Sequence, residues 1–433
     1  MSRLVVRVRG HLSRLTDAEL SPLIDRQPME SEGVADAVAS LIADVRLRGD
    51  DALRDMALRF DGVDLEHVEV PKEAWHEAVE GLDPGIRRGL ERAAENIRTF
   101  HAAQLPEDVV VDVEPGVRVT RTWAPLARVG VYAPGGTAAY PSSVLMGVVP
   151  AKAAGVDEVV VCSPPGPDGR PPVEVLAACA IAGADRLFAL GGAGAVAAMA
   201  YATASVPPVD AIVGPGNRWV TEAKRQVAGT LVIDSPAGPS EVLVLVDETA
   251  DPRLAAHELL AQAEHDPDAS CVLVSTARGV AEEIERILED LLEDAPRGLI
   301  ARRALADQGG ILVAESIEQA LEFTDRYAPE HLSIMMAEAA TNARVLRNAG
   351  TIFVGAWASV AFGDYMTGAN HVLPTAGRAR SFSGLSTSHF IRTFTIQEIT
   401  EDGAHSLASD VEILANAEGL PGHADAARAR SRP

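Results

Sequence analysis

Cysteine is scarce in this chain: three in 433 residues, Cys162, Cys179 and Cys271, each alone in an apolar run with no CxxC pair. That sets aside a disulfide framework and reads as buried thiols in a reducing cytoplasm. Positive charge is also short. Thirty-eight basic residues face 62 acidic ones, for a net charge of −24. Such a surface repels phosphate backbones and anionic membranes, so nucleic acid and lipid are excluded as expected partners. No apolar run approaches the ~18 residues of a membrane span. The stretch Met1 to Gly10 mixes Arg with Val and lacks the apolar core of a secretory signal. There is no internal repeat beyond a shared βαβ plan. The only low-complexity tract is the Ala/Arg-rich tail after His423.

What is present is an ordinary globular composition, 47% hydrophobic and 23% charged, in a chain too long for one core. Two or three domains are expected. Residues 1 to about 30 carry little pattern apart from a break at Pro28 and read as a docking arm. Val34 to Phe60 and Pro84 to Gln104 have helical apolar periods. From Arg128 short β-rich runs alternate with helical stretches. The strands are Arg128–Tyr132, Glu158–Cys162, Arg186–Leu190, Ala211–Val213 and Leu231–Ile233. A second series follows: Val242–Val246, Cys271–Ser275, Gly310–Ala314, Leu332–Met336 and Thr351–Val354. Alternation of this kind predicts βαβ units and two parallel sheets. Gly/Pro turns follow the first series at Pro134-Gly135-Gly136, Gly191-Gly192 and Gly214-Pro215-Gly216-Asn217, at strand ends where open α/β sheets bind ligands. From about residue 382 the pattern thins to a β-like run, Phe390–Ile396, and a helix, Ser406–Glu418.

Several groups can carry chemistry. The apolar spacing of Asp251 to Glu264 predicts an amphipathic helix ending in Ala261-Gln262-Ala263-Glu264-His265-Asp266. Gln262 and His265, three apart, project from one face and can start a metal site, or simply face solvent at a helix end. Gly192-Ala193-Gly194-Ala195-Val196-Ala197 spells G-x-G-x-x-A after a strand, with Asp210 downstream. It fits a pyrophosphate-binding turn and equally a tight βα turn without a ligand. In Ala328-Pro329-Glu330-His331-Leu332 a carboxylate adjoins an imidazole ahead of a strand. Adjacent residues on an extended segment diverge, so both reach one site only if the backbone bends there. Glu330 then suits a general base toward water and His331 a proton shuttle; otherwise the two form an exposed dipeptide. Asp364, in Gly363-Asp364-Tyr365 before Asn370-His371-Val372-Leu373-Pro374, either joins His265 on a metal or makes an Asx-turn. Glu418 and His423 look, by themselves, like tail residues.

Taken in order, these segments resemble histidinol dehydrogenase. The matching stretches include Val131-Tyr132-Ala133-Pro134-Gly135-Gly136, Gly214-Pro215-Gly216-Asn217 with Thr221-Glu222-Ala223-Lys224, and Ile233-Asp234-Ser235-Pro236-Ala237-Gly238-Pro239-Ser240-Glu241. To these are added Ala263-Glu264-His265, Ala328 to Leu332, Gly363 to Tyr365 and Asn370 to Pro374. The resemblance runs from near residue 30 to His423.

It implies a zinc-dependent, NAD-linked cytoplasmic enzyme that oxidises L-histidinol twice, through the aldehyde, to L-histidine, the last step of histidine biosynthesis. The implied ligands of one zinc ion per subunit are Gln262, His265, Asp364 and His423. Glu330 and His331 match the acid/base pair. Ser240 and Glu418 match substrate contacts, alongside Gln262, His265, His331, Asp364 and His423. Tyr132, Gly194 and Asn217 match NAD contacts. The family is a homodimer with intertwined tails, so Glu418 and His423 would enter the neighbouring subunit's site. The expected fold is α/β, two incomplete Rossmann-like parallel-sheet domains with N- and C-terminal extensions. Its expected division is an arm, 1–30; a discontinuous metal/catalytic domain, 31–131 and 241–381; an NAD-contacting domain, 132–240; and a C-terminal extension, 382–433. One departure stands out. The family usually carries Gln where this chain has Gly194, which implies either a backbone contact to NAD or weaker NAD binding. The rival readings are a dehydrogenase of the same fold acting on another small alcohol, and a zinc hydrolase that uses Glu330 on water.

Overall fold

The computed structural model describes residues 4–26, 33–135, 139–235 and 238–431. Pro28, Gly136, Pro236 and Ala237 lie outside them. Two parallel sheets form as the alternation predicts. One has five strands in the spatial order Arg186–Ala189, Glu158–Ser163, Arg128–Tyr132, Ala211–Val213, Val232–Ile233. The chain winds outward from Arg128–Tyr132 on one side, then returns to build the other. The order therefore reverses between Arg128–Tyr132 and Ala211–Val213, which opens a crevice at their carboxyl ends.

The second sheet has six parallel strands in the order Val8–His11, Gly310–Val313, Ser270–Ser275, Glu241–Val246, His331–Met335, Thr351–Val354. Glu241–Val246, Ser270–Ser275 and His331–Met335 are buried along their whole length. Helices cover both faces of this sheet, which is why these strands read as continuous apolar runs rather than alternating ones. The edge strand Val8–His11 comes from the N-terminal arm, so the arm docks on its own chain. The third sheet is antiparallel: Ile391–Ile399 pairs with Val117–Pro125, which pairs with Val109–Glu114.

Packing shows which sheet each outlying segment shares a core with. Val38, Ile42, Trp75, Leu90 and Ile97, on helices before residue 128, share one core with Val131 and Val161 of the five-stranded sheet. Residues 4–24 share their cores with the six-stranded sheet instead. The helices 34–102 thus belong with the first sheet, and the arm with the second. The apolar stripe of a helix specifies that it must be covered, not which sheet covers it. The helix expected over Val34 to Phe60 also ends sooner than its period suggests. It spans Val34–Arg48 and stops at Gly49, whose φ of 59° suits glycine, before Asp50–Met56 resumes.

Among the described residues no helix is long and apolar enough to cross a membrane.

Candidate active site between the two sheets

The helix Pro252–Ala263 follows strand Glu241–Val246 and runs back antiparallel to it, so its last turn reaches the amino ends of the six-stranded sheet. Asp251 caps its start by accepting the Arg253 N–H at 2.9 Å. Gln262 lies in the last turn and is 2% exposed, yet both atoms of its amide lack a hydrogen-bond partner. A buried, unpaired amide is costly, and such a pair of atoms marks a site built for a ligand. His265 sits just past the helix end, exposed. Its Nδ1 is 2.8 Å from the Ala261 carbonyl, which leaves Nε2 free to ligate.

Glu330 and His331 open the strand beside Glu241–Val246. The bend they need is supplied upstream: Ala328 has φ of 52°, left-handed for a non-glycine, and Pro329 follows it. Both side chains then meet the same residue. Glu330 Oε2 accepts the Glu241 backbone N–H at 2.6 Å, and His331 Nδ1 donates to the Glu241 carbonyl at 3.0 Å. A carbonyl only accepts, so the Nδ1 proton is fixed. Buried Nε2 has no hydrogen-bond partner and is the nitrogen left to take one. It faces Asp364 Oδ1 at 3.6 Å, while Nδ1 is 3.5 Å from Glu330 Oε2.

The electrostatics follow from this crowding. Burial pushes the Glu330 carboxyl above its ordinary value, against the pull of His331. Burial alone would depress His331, but Glu330 and Asp364 flank the ring and hold it well above the usual imidazole range. Burial likewise works to raise Asp364, yet contact with His331 and the charges of His371 and His265 hold it low. Asp364 is therefore within electrostatic reach of His265 as well as His331. It stands in a short helix, Val360–Tyr365.

A cavity of about 190 Å³ reaches Asp364 from helices that cover the other sheet, with Leu90, Ala93, Ile97, Leu145 and Met146 in its lining. Asn96 Nδ2 donates to the Met366 carbonyl, and Asn370 Nδ2 to that of Met146, each at 2.7 Å. The segment after Asp364 is thereby stitched to the first sheet's helices, and the site lies between the two units.

On the five-stranded sheet, Tyr132 ends its strand 3% exposed, and its hydroxyl accepts the Gly192 N–H at 3.1 Å. Burial pushes its pKa up to about 12. Asn217 is exposed and caps helix Arg218–Val227, accepting the Trp219 and Val220 N–H groups at 3.0 and 3.3 Å. Lys224 and Asp234, both buried, pair with each other and clamp this turn: Lys224 Nζ donates to the Gly214 carbonyl and Asp234 accepts the Gly214 N–H. Gly214 has φ of 112°, and a Cβ there would stand 2.2 Å from the Tyr132 carbonyl oxygen, so the two strand ends approach as only glycine allows.

Gly194 is buried in the first turn of helix Gly192–Tyr201, and a Cβ on it would meet Met56 Sδ at 2.9 Å. The dinucleotide reading of this run does not hold at its acidic residue. Asp210 precedes its strand and accepts the Ala127 and Arg128 N–H groups at 3.1 and 3.0 Å, at the amino ends of the sheet. It is a strand anchor, far from where a ribose would lie in such a motif.

Ser240 is half-buried immediately before Glu241. Glu418 and His423 are exposed, between and on the tail helices Glu401–Ala417 and Pro421–Arg428. Among the described residues no three His, Cys, Asp or Glu side chains gather as a metal cluster. Within one chain the set Gln262, His265 and Asp364 contains only two of those types, so it is not such a cluster. Sequence reasoning did not single out His371, whose Nδ1 donates to the Asp364 carbonyl at 3.1 Å, nor Glu241. Glu241 acts here through its backbone, which no residue pattern displays.

A sequence profile described as Histidinol dehydrogenase matches residues 24–431. A histidinol dehydrogenase of Methanosarcina mazei is 46% identical over 428 residues, 99% of this chain and 98% of that protein. One from Methanothermobacter thermautotrophicus is 47% identical over 413 residues, 95% of this chain and 97% of that protein. The crystal structure of histidinol dehydrogenase from Elizabethkingia anophelis aligns with a TM-score of 0.94 at 33% identity, covering 99% of this chain and 98% of that one. With nearly full-length matches in sequence and in fold, the chain belongs to the histidinol dehydrogenase family.

Proposed function

We propose that this chain oxidises L-histidinol to L-histidine in two NAD-linked steps through the aldehyde, in the cytoplasm, with Glu330 and His331 as its acid/base pair. One observation carries the reading. His331 is held between two carboxylates with Nδ1 committed to a carbonyl and a buried Nε2 free. In the neutral imidazole, with the remaining proton on Nδ1 toward the Glu241 carbonyl, that nitrogen removes the hydroxyl proton of the alcohol as hydride departs. Glu330, with its carboxyl raised by burial, then takes a proton from the water that adds to the aldehyde, giving the diol for the second oxidation.

The residues fit a metal. Gln262 offers an unpaired buried amide, His265 a free Nε2 and Asp364 a carboxylate held ionised, a mixed N/O set that suits zinc with substrate nitrogens completing it. Zinc, when bound there by Gln262, His265, Asp364 and His423, supplies a non-redox anchor for the imidazole and amine of histidinol. NAD supplies the hydride acceptor, and Tyr132, Gly194 and Asn217 at the crevice of the five-stranded sheet are its contacts. Ser240 and Glu418 hold the substrate. Glu418 and His423 do so from the neighbouring subunit of a homodimer whose tails cross. Exposed Leu414, Leu420, Trp357 and Tyr365, on the tail and beside Asp364, support a partner covering these surfaces.

The test is stoichiometry. Incubation with L-histidinol and NAD is expected to yield two NADH per histidinol, and a strong chelator is expected to abolish turnover. Oxidation of a different small alcohol alone would move the substrate. Hydrolysis of an amide or ester with no NADH would replace the reading with a zinc hydrolase.

A further inference from the structure

Arg26, at the end of the N-terminal arm, is 7% exposed in its side chain and grips Glu241, 3% exposed, through a two-pronged contact: Nε to Oε1 at 2.7 Å and Nη2 to Oε2 at 3.0 Å. Two further donors bind backbone carbonyls. Nη2 also donates to the Tyr327 carbonyl at 2.9 Å and Nη1 to the Leu23 carbonyl at 2.5 Å, and the guanidinium lies 3.6 Å over the Tyr327 ring. Tyr327 is itself locked, its hydroxyl donating to Ser270 Oγ at 2.9 Å while Ser270 Oγ donates to the Gln308 carbonyl. Glu241 Oε1 accepts one further bond, from the Ala376 N–H at 2.8 Å, and the charge of Arg378 also acts near this cluster.

The other face of the same residue is what matters. The Glu241 N–H and C=O are the two backbone groups that hold Glu330 Oε2 and His331 Nδ1. Glu241 begins its strand, so the ladder continues from it in one direction only. Its side chain, clamped by Arg26, supplies the second point that fixes the peptide's orientation.

We propose that Arg26 is a positioning residue for the oxidation: by clamping the Glu241 side chain it fixes the backbone on both sides of that residue, whose N–H and C=O aim Glu330 and His331. The inference rests on the assignment of Glu330 and His331 as the acid/base pair. A planar fork matches a carboxylate where an ammonium cannot, so the position requires arginine rather than any cation.

The experiment uses the purified zinc-loaded enzyme and four variants. Arg26→Met keeps the length and loses the charge; Arg26→Lys keeps the charge and loses the fork. Glu330→Gln tests the underlying assignment. Arg9→Met breaks another contact of the arm, the ion pair of Arg9 with Glu285 at 2.5 Å, as a control for docking alone. Arg26→Met is expected to lower kcat by roughly tenfold to a hundredfold, as small misplacements of reacting groups do, with KM for histidinol and NAD within about twofold. Arg26→Lys should fall between it and the wild type, and Arg9→Met should keep its kcat. If Arg26→Met does not accumulate as folded protein, Arg26→Lys decides alone: a wild-type kcat overturns the proposal. A rise in KM at unchanged kcat, or an equal loss in Arg9→Met, also overturns it. Full activity in Glu330→Gln removes the acid/base assignment itself. An inactive Glu330→Gln beside a normal Arg26→Met removes only the clamp.

Discussion

His331 Nε2 stands 3.6 Å from Asp364 Oδ1, so the nitrogen that would take the substrate's proton faces the carboxylate that would hold the metal. The two residues come from separate segments, one at the start of a central strand and one in the short helix Val360–Tyr365. With the roles proposed for them, their proximity would put proton removal and substrate anchoring in one small volume, as a near-attack geometry requires.

If Glu330 and His331 divide the roles proposed for them, their variants should separate the half-reactions. His331→Asn is expected to slow alcohol oxidation by about 10²- to 10⁴-fold, the usual worth of a positioned base. Glu330→Gln should slow the aldehyde step more than the alcohol step. Stopped-flow NADH formation from histidinol and from histidinal distinguishes them. Equal losses in both steps for both variants would remove the division of labour.

Gln262 should be costly to the metal-free protein. Both amide atoms are buried without partners, and each such group costs roughly 1–3 kcal/mol. Gln262→Leu is therefore expected to raise the unfolding temperature of the chelator-treated enzyme while lowering its zinc affinity. Thermal unfolding in chelator and a zinc titration measure the two. A less stable apo-protein with unchanged zinc binding would show that the amide is structural.

Gly194 stands where the resemblance to the family leads to the expectation of a glutamine. A side chain there meets the flexible end of Met56 at 2.9 Å, a contact that can yield, and replacing a helical glycine gains up to about 1 kcal/mol in helix propensity. Gly194→Gln is expected to fold and to lower the KM for NAD several-fold. An unchanged KM would mean that the glycine does not weaken NAD binding.

The crossing tail is tested by mixing. Glu330→Gln and His423→Ala homodimers should each be inactive. Subunit exchange puts an intact body beside an intact tail in one site of each mixed dimer, so activity should recover to about a quarter of wild type. No recovery, with exchange verified by mass, would place His423 in its own subunit's site or outside any site.

Stability should fall on the acid side through a histidine remote from the site. His101 is fully buried, and burial holds its pKa below the ordinary value near 6.5, despite its bond to the Ile97 carbonyl at 2.8 Å. The unfolded chain therefore binds the proton first. The stabilisation is complete above about pH 6.5 and is lost as pH falls toward the folded-state pKa. His389 is shifted in the same sense. Urea midpoints between pH 7 and 5 should decline less steeply in His101→Gln than in the wild type, and parallel slopes would count against this role.

Much of this molecule was legible in the chain itself. The alternation of β-rich and helical runs determined two parallel sheets, because period and turn chemistry are local and survive without knowing the neighbours. Side chains of the types that ligate metals or move protons are also visible in the chain, since their chemistry is intrinsic to their type. Partner choice was decided only in three dimensions. Val34–Arg48 and Pro84–Ala102 carry stripes that either sheet could have buried, and packing sent them to the five-stranded one. Asp210 matched an acidic position in a motif, yet a strand's amino end needed its carboxylate. Glu241 works through its N–H and C=O, and every residue but proline has both. Only the register of Glu241 beside Glu330 and His331, with Arg26 at its side chain, turns a common peptide group into part of a site.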